Sequence, residues 1–396
     1  MADALDFARH LRGRARNLLP VRGFFFDRPL LLLHSDDWGR IGVRDGEGFA
    51  ELQAGGITLG ENPYDFYSLE TAEDVLAVRE LLQSHRDSTG RSPCLVMNFL
   101  LANVDFQRTI ATGLRQLHLR PLRDGLPGRW SRPGLFEAYR QGIADGVFYP
   151  ALHGLTHFSK RAVERCMLED GPRRALLQKL WEAETPYIYW RMPWIGYEYW
   201  SSEPTPEAGF LSAGEQEVLI PQSVSAFTQF FGTAPLSVCA PGYRANHDTH
   251  RAWADCGVRV AQNGSGGWLP PQTDEFGILN VCRAIDFEPA VHPHFSLQKC
   301  IGVAEECFAR GLPAIVSIHS INFHSTLKDF CGPTLCALDQ FLSALEAKHP
   351  RLLYLHDADL LQLVERGRYQ SADGAVSVCV AQRSASRPRA FVARGT

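Results

Sequence analysis

Short apolar runs recur along the chain, and each is followed by a polar or glycine-containing turn. In the first, four leucines at positions 30–33 lead through His34 and Ser35 to two adjacent aspartates, Asp36 and Asp37. Runs of this length without alternating polar positions predict strands that are buried on both faces. Eight strands are predicted in this way, at residues 30–34, 94–101, 147–152, 236–240, 258–261, 278–282, 314–318 and 352–355.

Most of the intervals between these runs have helical periodicity. The predicted helices are residues 71–84, 133–145, 163–184, 212–231, 246–256, 297–310 and 333–348. Alternation of strands and helices over seven or eight rounds predicts an α/β fold with a parallel sheet. The number of rounds favours a closed or nearly closed barrel over an open doubly wound sheet.

Three segments lie outside this alternation. Residues 1–28 are interpreted as a helical extension before a barrel domain at 29–365, and residues 366–396 as a weakly packed C-terminal tail. An insertion near 186–210 is rich in tyrosine and tryptophan. Packing against the barrel is the favoured interpretation of this insertion, and one wall of a substrate cleft is the alternative.

Composition narrows the possible partners. The 396 residues carry a net charge of −4, so no basic surplus indicates nucleic acid as a partner. No stretch of 18 or more apolar residues predicts a membrane span, and the first residues lack the apolar core of a signal peptide. A cytoplasmic protein with ten reduced cysteines is therefore the expectation.

Polar residues that could bind a metal ion or take part in catalysis lie where the predicted strands end. The functional groups of a barrel gather at this position. These polar residues are Asp36 and Asp37, the pair His153 and His157, the segment Tyr243-Arg244, and the segment from His319 to His324. Two like charges side by side are costly in a partly dry site unless each has its own task. The cost would be explained if one aspartate bound a metal ion and the other took part in proton transfer.

Histidines four residues apart can face the same way and bind one metal ion. His153, His157 and one carboxylate would form a mixed nitrogen and oxygen site that leaves positions open for water and substrate. Such a site suits Zn²⁺ best among the divalent metals, with Co, Ni, Mn or Fe as alternatives.

These motifs together resemble those of the polysaccharide deacetylase superfamily, the NodB-homology or carbohydrate esterase family 4 group. Ser35-Asp36-Asp37 matches a first motif ending in Asp-Asp, and His153–His157 matches a second, His-(Ser/Thr)-x-x-His. Residues 238–243 lie near a third motif, and Ser317-Ile318-His319 approximates a late Leu-x-His. The resemblance covers roughly residues 30–360.

The resemblance implies a distorted (β/α) barrel of about seven parallel strands and metal-dependent removal of an acyl group from an N-acylated sugar. Carried over to this chain, it assigns the metal to Asp37, His153 and His157. It assigns the general base to Asp36 and the general acid to His319. A buried structural histidine is the alternative for His319.

The third motif differs from the family pattern. The resemblance implies that the backbone N–H of Tyr243 helps to stabilise the oxyanion, with a simple turn residue as the alternative. The motif arginine is displaced, because Cys239-Ala240 occupies its place and Arg244 follows Tyr243. Arg244 is hypothesised to orient Asp36.

Other departures suggest a divergent member with its own substrate preference. His34 precedes the Asp-Asp pair, Trp38 follows it, and Gly154 stands where Ser or Thr is usual. The candidate substrate contacts are His34, Trp38, Tyr243, Arg244 and His324. Glu288 is a further candidate, either for sugar hydroxyls or for holding a catalytic side chain. His292 and His294 have no assigned role.

The leading hypothesis is a metal-dependent N-deacetylase acting on a small or oligomeric carbohydrate. The alternatives are a metal-dependent amidase or glycosidase on a related barrel, and a catalytically silent carbohydrate-binding relative. A glycosidase would require two carboxylates that flank the scissile bond.

Overall fold

The computed structural model describes residues 21–201, 209–264, 268–371 and 374–385. Its eighteen described strands, β1 to β18 in chain order, are Val21–Phe26, Leu30–Trp38, Leu95–Leu100, Ala102–Val104, Leu119–Pro121, Phe148–Gly154, Trp200–Ser201, Gly209–Phe210, Ser237–Cys239, Val260–Asn263, Gln272–Thr273, Leu279–Cys282, Ile285–Asp286, Ala314–His319, Leu353–Tyr354, Arg368–Ser371, Gly374–Ser377 and Val380–Ala385. The described α-helices are Gly46–Ala54, Ala72–Ser84, Phe106–Ala111, Leu135–Ala144, Lys160–Leu168, Pro172–Glu182, Ala213–Phe231, His247–Asp255, Leu297–Ala309, Cys331–Lys348 and Asp357–Arg366.

A curled, mainly parallel sheet forms the centre of the fold, with its strands in the order β13-β14-β2-β3-β6-β9-β10-β12. Strands β12 and β13 are two halves of one run, residues 279–286. The first half pairs with β10 and the second with β14, so the run joins the two ends of the sheet. Counting this run once gives seven parallel strands around a distorted barrel. The (β/α) barrel prediction is therefore confirmed, and the run 279–286 is its seam.

The apolar runs form strands because both of their faces are covered. Every residue of β2 and β3 is buried, with the helices on the outside and the barrel interior on the other side. All eight predicted strands are present. The parallel pairing brings the carboxyl ends of β2, β6 and β14 to the same end of the barrel, which positions the candidate site.

Two predicted elements differ from the structure. The helix predicted at 163–184 is divided into Lys160–Leu168 and Pro172–Glu182, because Gly171 interrupts the helical backbone and Pro172 starts the second helix. The helical extension predicted at 1–28 lies outside the described residues up to position 20. Its described part contains β1, which is a strand.

The described part of the C-terminal tail packs against this first strand. Strand β18 pairs antiparallel with β1 along six residues, from Val21 opposite Ala385 to Phe26 opposite Val380. Strand β1 also contacts β11, so both ends of the described chain extend the sheet beyond its parallel part. No helix among the described residues has the length and apolarity that crossing a membrane requires.

Trp38 lies in the main core, which contradicts its prediction as a substrate contact. Its side chain is wholly buried. The ring stacks on Phe323 with centroids 5.8 Å apart and meets the edge of Tyr139 at 6.3 Å. A residue after a strand end was expected to face the cleft, but the turn at Asp37 directs this indole into the layer between barrel and helices.

Replacing this indole should therefore affect stability first. We expect Trp38→Ala to lower the free energy of unfolding by about 3–5 kcal/mol, because it leaves a large buried cavity. Urea denaturation measures the change, with Trp268→Ala as a control at a partly exposed tryptophan, where a much smaller loss is expected. A stable Trp38→Ala protein with only weaker substrate binding would contradict the core assignment.

Candidate metal centre and active site

The chain turns sharply between the two aspartates at the end of β2. Asp37 has a φ of +74°, and the pairing of β2 with β3 shifts register between Ser35 and Trp38. Aspartate tolerates this left-handed backbone region better than most residues. The turn sends the two neighbouring carboxylates to different partners, so each has its own environment.

Asp37, His153 and His157 come together as the metal prediction requires. The Oδ1 atom of Asp37 lies 3.5 Å from Nε2 of His153 and 3.5 Å from Nε2 of His157. Two ligands of a tetrahedral Zn²⁺ are separated by about 3.4 Å when each bond is near 2.05 Å. Oδ1 is buried and has no hydrogen-bond donor from the protein. The donor set therefore fits a divalent transition metal.

The surroundings keep these three groups in the forms that bind a metal. Nδ1 of His153 lies 2.8 Å from the Cys239 carbonyl and donates to it, which leaves the Nε2 lone pair free. Burial lowers the pKa of His157 to about 3, so this imidazole is neutral. Burial opposes ionisation of Asp37, but Arg40, 2.6 Å from its Oδ2, holds the pKa of that carboxyl well below its usual range.

Asp36 turns into the barrel and is held by an arginine from the seam. The guanidinium of Arg283 donates to both of its oxygens, at 2.6 and 2.7 Å, and Asn98 donates to one at 2.9 Å. Burial disfavours the Asp36 carboxylate, but Arg283 outweighs this and keeps its pKa below the usual range. Asp36 also lies beside His153, with ligand atoms within 4.8 Å.

The structure places Arg283, not Arg244, against Asp36, which corrects the hypothesis about Arg244. The guanidinium of Arg244 instead lies over the rings of Trp200 and Tyr197. A signal for Arg283 was present in the sequence, because this arginine directly follows the apolar run at 278–282. A cation at the carboxyl end of a buried strand needs an anionic partner.

A column of buried polar side chains continues from Asp36 down the barrel interior. The Oε1 atom of Gln262 accepts from Asn98 at 2.8 Å and from Arg283, while its Nε2 donates to Asp357 at 2.8 Å. The other oxygen of Asp357 lies 2.9 Å from Nε2 of His34. His34 is fully buried at the bottom of this column, so its prediction as a substrate contact is wrong.

His319 lies beside Asp36 in the sheet, because the two residues are register partners in β14 and β2. Its Nδ1 contacts Oε1 of Glu288 at 2.6 Å, which orients the ring and leaves Nε2 free. Burial disfavours the imidazolium, but Glu288, with Asp36 and Asp37 adding to it, raises the pKa of His319 to about 10. His319 is therefore protonated at neutral pH, as a general acid must be.

Glu288 is a buried support for His319. Its Oε1 accepts from the ring and from the backbone N–H of His319, and Asn322 donates to its Oε2. Of the two roles predicted for Glu288, the structure supports holding a catalytic side chain. Its carboxylate is too buried to bind sugar hydroxyls.

Two other predicted contacts are corrected by their partners. The backbone N–H of Tyr243 donates to the Ala240 carbonyl at 2.9 Å, so it is not available to an oxyanion. The Tyr243 hydroxyl meets Arg283 at 3.1 Å instead. His324 is buried, with Nε2 3.3 Å from Glu70, and does not reach the cleft. His292 and His294 lie exposed in the loop after Glu288.

The aromatic insertion packs around His157. The ring centroids of Tyr187, Tyr189 and Tyr197 lie 6.3, 6.1 and 5.4 Å from its imidazole. Tyr187 is buried, whereas Tyr189 and Tyr197 are partly exposed. The insertion therefore packs against the barrel and also forms a wall beside the candidate metal ligand.

Glu198 in this insertion explains the glycine in the histidine motif. Its Oε1 accepts from the backbone N–H groups of Leu155 and Thr156, at 2.7 and 3.0 Å. A Cβ at Gly154, where φ is +140°, would lie 2.1 Å from its Oε2. Glu198 thus fills the space that a Ser or Thr side chain would need. Because it is 43 residues from Leu155, no local pattern indicated it.

We expect Glu198 to stabilise the turn that carries His157. Glu198→Ala removes the acceptor of two amides and should weaken metal affinity by about 10- to 100-fold, whereas Glu198→Gln keeps an acceptor oxygen and most of the affinity. Competition with a chromogenic chelator measures the change. The exposed Glu80→Ala is the matched control. Unchanged metal affinity in Glu198→Ala would contradict this role.

Comparison with known proteins gives only distant structural likeness. No family model and no curated protein matches the chain. Among solved structures, a protein from Pseudomonas aeruginosa named as a polysaccharide deacetylase is 12% identical, with a TM-score of 0.46 and coverage of 86% of this chain and 93% of that one.

Two further solved structures belong to carbohydrate esterase family 4 by name. One, from Streptomyces lividans, is 10% identical with a TM-score of 0.33 and covers 83% of this chain and 92% of its own. The other, a pseudoenzyme from Bacillus anthracis, is 11% identical with a TM-score of 0.34, and the match covers 85% of this chain and 67% of that one. Structural likeness at these values does not assign a function to the chain.

Proposed function

We propose that this protein is a metal-dependent hydrolase that removes an N-acyl group, foremost N-acetyl, from a carbohydrate. One observation carries the proposal. Three converging metal donors from Asp37, His153 and His157 lie beside a carboxylate held by Arg283 and an imidazole held by Glu288. Amide hydrolysis needs a Lewis acid, a base and an acid together, and this site has groups suited to all three tasks.

A divalent metal held by the three donors would supply Lewis acidity, which activates water and polarises a carbonyl group. The side chains of the chain do the rest. Asp36 is ionised and oriented by Arg283 and Asn98, which together donate two hydrogen bonds to its Oδ1. Its Oδ2 accepts from Arg283 at 2.6 Å and otherwise meets only the Cys239 thiol at 3.9 Å, so a lone pair there can accept a proton from the attacking water. Its low pKa favours passing that proton on.

His319 completes the reaction at the leaving group. An amine leaves poorly unless its nitrogen is protonated, and the free Nε2 of His319 carries the proton for it. Glu288 holds the ring by Nδ1, so rotation does not move Nε2 away from the cleft. The partly exposed rings of Tyr189 and Tyr197 beside His157 offer surfaces on which a sugar can stack.

A glycosidase is less compatible with these contacts. Both oxygens of Asp36 are bonded to Arg283 or Asn98, and both oxygens of Glu288 are bonded to His319 or Asn322. Neither group is a free carboxylic acid that could protonate a glycosidic oxygen. In amide hydrolysis the atom that must be protonated is the leaving nitrogen, and the imidazolium of His319 can supply that proton.

The direct test is acetate release from N-acetylated mono- and oligosaccharides, with and without a chelator. We expect release that stops on chelation and returns when Zn²⁺ is restored. Asp36→Asn should keep bound metal and lower kcat by about 10²- to 10⁴-fold, because it removes only the base. Metal analysis of the same samples is the control. Loss of metal from Asp36→Asn would contradict the division of roles, and no release by the metal-loaded protein would reject the function.

A second test uses the pH dependence. Glu288 raises the pKa of His319, so Glu288→Gln should lower it and His319 should lose its proton at lower pH. Since the acid must be protonated, we expect the alkaline limb of the kcat profile to move to lower pH. Asn322→Ala, which leaves the carboxylate in place, should shift it less. An alkaline limb that does not move in Glu288→Gln would exclude His319 as the titrating acid.

A further inference from the structure

Arg244 is a partly buried cation that has no anionic partner among the described residues. It follows the short helix Pro241–Tyr243, and its guanidinium lies 4.4 Å from the ring centroid of Trp200 and 5.9 Å from that of Tyr197. Among the described residues no hydrogen bond or ion pair engages its side chain, and its Nε is screened from solvent without an acceptor. Its N–H donors therefore have no acceptor in the described part of the chain.

The lack of an acceptor distinguishes Arg244 from three other arginines around the site. Arg40 donates to Asp37, Arg283 donates to Asp36, and Arg191 donates to the Thr58 carbonyl. A guanidinium has five N–H donors in one plane, which match the paired oxygens of a carboxylate or phosphate. Partial burial without an acceptor is costly, and an incoming anion would offset that cost.

The turn that carries Arg244 is built against the aromatic wall. Gly242 has a φ of +58°, and a Cβ there would lie 2.3 Å from the ring of Tyr197. Only glycine allows Tyr197 to pack this closely on the turn. Tyr197 in turn lies 5.4 Å from the His157 ring, so one aromatic ring separates Arg244 from the candidate metal ligand.

We infer that Arg244, Trp200 and Tyr197 form an anion subsite of the active-site cleft. The subsite binds a phosphate or carboxylate group carried by the same mono- or disaccharide whose N-acyl group lies at the metal centre. The inference rests on the proposed function for its substrate, and it adds that the preferred N-acylated sugar is anionic. Arg244 is then a specificity residue rather than a support for Asp36.

Kinetics with three substrates test this inference. N-acetylglucosamine is the neutral reference, N-acetylglucosamine 1-phosphate carries a phosphate, and N-acetylmuramic acid carries a carboxylate. We expect the wild-type protein to have a higher kcat/KM for at least one anionic sugar. Arg244→Gln should reduce that preference by about 10- to 100-fold, mainly through KM, and Arg244→Lys should recover only part of it. The anionic sugar whose preference falls more identifies the group.

Arg251→Gln is the matched control, because it removes the same charge from the neighbouring helix His247–Asp255, where Arg251 pairs with Glu217 at 2.8 Å. We expect it to leave the substrate preference unchanged. An equal loss for neutral and anionic sugars in Arg244→Gln, or an equal loss of preference in Arg251→Gln, would overturn the subsite.

A binding measurement separates this inference from the proposed function. Titration calorimetry with N-acetylglucosamine 1-phosphate and N-acetylmuramic acid on chelator-treated protein needs no turnover. Tighter binding of either anionic sugar than of N-acetylglucosamine, lost in Arg244→Gln, supports the subsite even if no acetate is released. Acetate release without any anion preference in binding or turnover rejects the subsite and leaves the hydrolase proposal standing.

Discussion

The buried ion pair between Arg283 and Asp36 is the interaction on which the site depends. Neighbouring carboxylates would repel each other in a dry interior, and one would take up a proton unless each had a cation. Arg283 serves Asp36, and Arg40 serves Asp37. Removing one partner from a buried pair costs about 3–5 kcal/mol, because the other charge is left without compensation. The two arginines therefore allow one strand end to hold both the candidate metal ligand and the proposed base.

This ion pair is supported from below by the polar column in the barrel. The interior of a (β/α) barrel is usually filled by branched apolar side chains, but here Gln262, Asp357 and His34 occupy part of it. The amide of Gln262 has a defined orientation because Asp357 accepts from its nitrogen. Its oxygen must then face Asn98 and Arg283. The position of Asp36, the proposed base, is thus determined by groups buried below it in the barrel.

The strands and the metal donors could be predicted from the sequence because their signals are local. An apolar run needs only its own residues, and His153 and His157 form one short motif. The supports of the site could not be predicted in the same way. Arg283 is 247 residues from Asp36, and Glu198 is 43 residues from Leu155, so no local pattern connects either support with the group that it holds. Proximity in sequence to site residues predicts substrate contacts for Trp38, His34 and His324, but all three side chains are buried. The turn at Asp37 directs Trp38 into the core, His34 lies against Asp357, and His324 lies against Glu70.

The seam at residues 279–286 has a consequence for how the proposed active site assembles. The same short run pairs with both edges of the parallel sheet and delivers Arg283 to Asp36 between its two halves. Ring closure and charge compensation are consequently one cooperative event. A molecule with an open barrel would hold an uncompensated aspartate and no oriented base. Under the proposed function, only molecules with a completely closed barrel would be active, so activity would measure complete folding.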